Sequence, residues 1–103
     1  MAKPEASMPE VHELPVPPDA LEHGGVEVLR ALVVDNGLSV TLQRAFETPN
    51  IWGMLLVDVA RHAARIFAKE TELTEEQVLA EIRQMFNAEL DRTTDPGKTN
   101  AIN

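Results

Sequence analysis

Four side chains have the types and the spacing to do chemistry together: Asp58, Arg61, His62 and Arg65. Asp58 and His62 stand four residues apart. On a helix they are neighbours on one face, where a carboxylate can hold an imidazole as an acid–base pair. Arg61 and Arg65 lie beside them and suit the clamping of an anion. These four are the candidate ligand-binding residues. Catalysis asks for more than one pair, because groups must converge on a reacting atom. The chain offers no nucleophile at a matching spacing, no glycine-rich loop and no second histidine in the part expected to fold, so no catalytic residue is assigned. The plainer interpretation is structural: His62 borders an apolar face, next to Leu55 and Ile66, and is tied to a nearby carboxylate. Metal binding fares no better. Asp58 and His62 supply two ligands, His12 and His23 fall in a flexible N-terminal segment, and a closed zinc site needs four ordered ligands. No metal and no cofactor are expected.

The element that must position these residues is Thr48–Glu70. Thr48 suits the N-cap and Pro49 the first helical position, where its missing N–H is not needed. A helical period sets Trp52, Leu55, Leu56, Val59, Ala63, Ile66 and Phe67 on one face, which is expected to lie against a core. Asp58, Arg61, Arg65 and Lys69 occupy the opposite side. Gly53, Val57, Ala60, Ala64 and Ala68 make a third, small face, open to a second helix or a partner chain. Alternatively, the alanines there are only good helix formers on a solvated surface. The basic stripe Arg61–Arg65–Lys69 reads as a solvated face by default; a sharper option is contact with Glu81 or Glu89 or with an acidic partner.

Residues 26–46 precede this helix and read as a hairpin. Asn36-Gly37 is a strong signal for a two-residue turn with φ > 0 twice. That turn sets Asp35 opposite Leu38, Val33 opposite Val40 and Ala31 opposite Leu42. Leu29, Ala31, Val33, Leu38, Val40 and Leu42 then share a face that can cover the long helix. Val26, Val28, Leu32 and Val34 point the other way. A short helix over 26–35 closed by Asn36-Gly37 is the competing assignment. Leu14-Pro15-Val16-Pro17-Pro18 reads as an extended strap, and Asp19–Glu22 as a single helical turn. After the long helix, Thr74 and Gln77 form a capping box with a Leu73–Val78 staple, opening a helix that runs to about Asp91. Val78, Leu79, Ile82, Met85, Phe86 and Leu90 make its apolar stripe. The run from Asp91 onward has no apolar pattern and is expected to fray.

The totals bound the rest. The 103 residues suit one small domain, and no cysteine is present, so no disulfide or thiolate chemistry is available. The net charge of −8 sits at the ends: residues 1–25 hold one base against five acids and residues 71–103 three bases against seven, while 26–70 is balanced. Nucleic acid and anionic membranes need a concentrated basic surface and are therefore not expected partners. No apolar run is long enough to span a bilayer. The N-terminus lacks the apolar region of a signal peptide. A cytoplasmic location is the expectation.

The run W-G-M-L-L-V-D-V-A-R-H-A-A-R, Trp52 to Arg65, resembles the signature of a family of small bacterial proteins classed as a domain of unknown function. Leu38–Phe46 and Glu27–Ala31 resemble the same family, so the similarity covers about residues 14–95. The resemblance implies a compact α+β domain, bacterial and cytoplasmic, with no activity to carry over. Its motif residues here are Trp52, Gly53, Asp58, Arg61 and His62.

Together these observations predict a two-layer α+β fold, a β-hairpin followed by two helices (ββαα) with an extended N-terminal segment. Residues 1–13 and 92–103 are expected to be disordered tails around one domain, 14–91. A domain this small is marginal alone, which points to a homodimer. The expected function is a non-enzymatic interaction module that self-associates, with room for another protein partner. The alternative is a binder of a small anion, or an enzyme, using Asp58, Arg61, His62 and Arg65.

Overall fold

A computed structural model describes residues 9–92 and 97–101. The remaining residues of the two expected tails, 1–8, 93–96 and 102–103, lie outside the described part. The element order is α1 (Pro18–His23), β1 (Leu29–Val34), β2 (Gly37–Leu42), α2 (Asn50–Glu70), α3 (Glu75–Leu90) and β3 (Lys98–Ala101). This is the expected hairpin followed by two helices, an α+β arrangement.

The hairpin forms with its turn one residue earlier than the Asn36-Gly37 signal places it. Positive φ falls on Asp35 (51°) and Asn36 (67°). Both types tolerate the left-handed region because a short polar side chain can bond locally. Gly37 is left to pair with Val34, and the register runs Val33 opposite Leu38, Ala31 opposite Val40 and Leu29 opposite Leu42. The expected pairing is therefore displaced by two positions along the partner strand. Because side chains alternate with period two, a displacement of two keeps every residue on its face. Leu29, Ala31, Val33, Leu38, Val40 and Leu42 still share one apolar surface. Gln43 extends the ladder, donating its N–H to Val28 O at 3.2 Å and its side-chain amide to Glu27 O at 3.1 Å.

The chain also builds a strand where the sequence predicts a frayed end. β3 pairs parallel to β2, giving the order β1-β2-β3. Backbone, not an apolar pattern, makes this strand. Gly97 has φ +81°, and a Cβ there would stand 1.8 Å from Leu38 O, so only glycine allows the approach.

α2 begins at Asn50 with Pro49 at the N-cap, one residue beyond the expected start, and no side chain caps it. The Thr48 hydroxyl bonds instead to the side-chain oxygen of Asn50. α2 ends where Thr71 folds over: its N–H and hydroxyl both reach Phe67 O, at 2.8 and 2.7 Å. The capping box of α3 is complete. Thr74 N–H donates to Gln77 Oε1 at 2.9 Å, and Gln77 N–H to Thr74 Oγ1 at 3.1 Å. α3 packs on α2, and the small-residue face receives it: Ala64 is fully buried, with Val78 4% exposed. Farther along that face Gly53 has open space around it.

The layers themselves do not close. Among the described elements β1 lies on β2, β2 on β3 and α2 on α3, and no strand lies against a helix. The expectation that the hairpin covers α2 fails within one chain. Val33 is 79% exposed and Leu38 50%; Leu56, Val59, Ile66 and Phe67 on the would-be core face of α2 are 44–55% exposed. The strap docks no better. Leu14 is 91% exposed, and among the described residues the segment is tied to the hairpin through Glu13, which pairs with Arg30 at 2.6 Å. The radius of gyration is 17.0 Å, against about 13 Å for a compact chain of this length.

Candidate functional site

The four candidate residues lie along the exposed side of α2, within two turns. A helix sets Asp58, Arg61, His62 and Arg65 on neighbouring positions, so the sequence does bring them together. Their pairing differs from the expected one. Asp58 turns to Arg61, at 3.9 Å. His62 faces Arg65, whose Nη1 stands 3.2 Å from the imidazole Nδ1. A guanidinium only donates, so Nδ1 is the accepting atom of this contact. Both contacts are three residues apart, one helical step shorter than the Asp58–His62 spacing. Asp58 and Arg61 expose 68% and 59% of their side chains. Ion pairs this open to water contribute little, about 0–1 kcal/mol.

These four line neither of the two described cavities. One, of about 360 Å³, opens at the base of the hairpin between Glu27, Arg30, Thr41 and Gln43. The other, about 270 Å³, follows Gln43–Glu47. Arg30 borders the first and is gripped by two carboxylates, Glu27 at 3.0 Å and Glu13 at 2.6 Å. Glu27 above all, then Glu13, holds its guanidinium above the ordinary arginine value. With both oxygens of Glu27 and one of Glu13 on it, Arg30 is an anchor for the N-terminal segment. Among the described residues no group of three histidine, cysteine or carboxylate side chains converges as a metal site would.

Sequence reasoning missed the most constructed feature of the chain, the link between β2 and α2. Trp52, in the first turn of α2, sends its indole N–H to Arg44 O at 2.8 Å. Its ring meets Phe46 edge-on, with centroids 5.8 Å apart and planes at 72°. Arg44 O also accepts from Phe46 N–H at 2.6 Å, closing a three-residue turn around Ala45, whose φ is +65°. Trp52 thus serves the link. Only the closeness of Phe46 and Trp52 in sequence hints at this; the left-handed alanine has no compositional signal.

A domain of unknown function, DUF5076, matches residues 13–94. The chain belongs to this family. A solved structure from the photosynthetic bacterium Rhodopseudomonas palustrus CGA009, described as "a putative pyruvate dehydrogenase", is similar to this DUF5076 chain. The two are 52% identical, with a TM-score of 0.69, over 86% of this chain and 92% of that one. No curated protein matches. Among the described residues no helix is long and apolar enough to cross a membrane.

Proposed function

We propose that this DUF5076 chain is a non-enzymatic interaction module that works as a homodimer, with residues 14–91 as the associating unit. One observation carries the reading: among the described residues of a single copy, Ala64 and Val78 are the only apolar residues that are buried. Two buried side chains are too few to offset the ordering entropy of a domain, which runs to roughly 1–2 kcal/mol per residue for the backbone alone. The missing core is present in the chain as exposed surface. The copy exposes 9309 Å², where a compact monomer of its mass exposes about 5,800 Å².

The anion-binding reading of Asp58, Arg61, His62 and Arg65 gains no such support, since these residues line neither described cavity. Nor is pyruvate oxidation carried over from the description of the similar structure. That description is matched here by no glycine-rich phosphate turn in the sequence and, among the described residues, by no convergent acid–base group in either cavity lining. A chain without cysteine suits a reducing compartment, and the cytoplasm is part of the proposal. Sedimentation equilibrium tests the reading: the reading predicts twice the 11.4 kDa chain mass, and a folded species at the single mass would refute it.

A further inference from the structure

We infer that the two copies exchange layers, the hairpin of each lying across α2 of the other. The inference rests on the self-association proposed above and adds the contact that makes it. Its starting point is the link Gln43–Pro49. A flexible link of that length would let the hairpin fold back on its own helix. This one is an elbow of fixed shape. Two donors hold the carbonyl of Arg44, Phe46 N–H at 2.6 Å and the Trp52 indole at 2.8 Å. Ala45 between them has φ +65°. A residue with a Cβ enters that region at a steric cost and stays only where its surroundings fix it. Phe46 packed edge-on against Trp52 does so, at 5.8 Å. The turn is bolted to the first turn of α2, and the hairpin leaves at a set angle.

That angle parts two surfaces made for each other. A sheet with one apolar face and a helix with an apolar stripe are the two halves of a two-layer core. Here Val33 and Leu38 on the sheet and Val59 and Ile66 on α2 are all at least half exposed. Among the described residues no strand lies against a helix in the same chain. A copy related by a two-fold axis supplies what each half lacks, twice over, in one self-complementary contact. Stacking sheet on sheet would leave α2 bare, and pairing α2 with α2 would leave the sheet bare. The area suffices: the 9309 Å² of one copy exceeds the compact value by about 3,500 Å², and an obligate dimer buries about 1,000–2,500 Å² of each copy.

The chain has no cysteine, so introduced thiols report without background. Val33→Cys and Val59→Cys chains, differently tagged, are co-expressed and treated with a long-armed bis-maleimide. Exchange predicts that the Val33→Cys chain links to the Val59→Cys chain several-fold more than either links to itself. It also predicts that the double variant links between chains. Predominant Val33–Val33 or Val59–Val59 linkage, or linkage of the double variant within one chain, would overturn it. Should the variants fold poorly, the wild type decides: isotope-filtered NOEs on a mixed labelled and unlabelled sample should connect Val33 or Leu38 methyls to Val59 or Ile66 methyls across chains. A dimer without those contacts refutes the exchange alone, whereas a monomeric wild type refutes the self-association beneath it.

Discussion

Ala45 and Gly97 are the residues whose backbone the fold depends on most, and they do so from opposite sides. Ala45 sits at φ +65° with a side chain that region disfavours, at a cost of about 1–2 kcal/mol. Ala45→Gly removes that cost and adds back about 0.4–1 kcal/mol of unfolded-chain entropy. The substitution should therefore stabilise the protein, by up to about 1 kcal/mol in urea unfolding. A loss of stability would mean the turn is not held as described. Gly97 is already glycine, and its place is crowded by Leu38 O. Gly97→Ala should detach β3, seen as faster amide exchange within Ser39–Leu42 with the β1–β2 ladder kept. Neither position was legible in the sequence, since an alanine announces no turn and a glycine in a polar tail announces no close approach. The candidate site was legible as a cluster, because helical spacing guarantees neighbours. Which neighbours bond was not: Asp58 and His62 each have an arginine three residues on, and both take it.

At the scale of elements, what local chemistry encodes came through. The Thr74–Gln77 box opens α3, and the small face of α2 receives it at Ala64. Thr74→Ala should cost about 1 kcal/mol of stability, read as a lower melting temperature. Ala64→Leu should cost about 1–3 kcal/mol by overpacking the α2–α3 seam, since this alanine is fully buried. An Ala64→Leu chain of wild-type stability would show that the two helices are free to separate. The hairpin turn was off by one residue, yet its faces were right, because the displacement preserves parity. Patterning reports which side chains share a face. It does not report what covers that face, and there the sequence misled: the apolar stripe of α2 was assigned to its own hairpin.

For the whole molecule, that gap becomes the account of function. One chain holds both halves of a core and an elbow that keeps them apart. Val33 makes a sharp probe, since at 79% exposure in the single copy it should tolerate charge. Substitutions at such surface positions ordinarily stay within about 0.5 kcal/mol. If the dimer covers it, Val33→Glu should instead abolish association and lower the melting temperature by many degrees. The wild-type melting temperature should also rise with protein concentration, as mass action requires of a dimer whose folding and association are linked. The most direct test is the mass of the wild-type chain by light scattering across a concentration series, with circular dichroism on the same samples. The account predicts a folded species at twice 11.4 kDa that loses its structure as it dissociates on dilution; a cooperatively folded monomer at high micromolar concentration would contradict it.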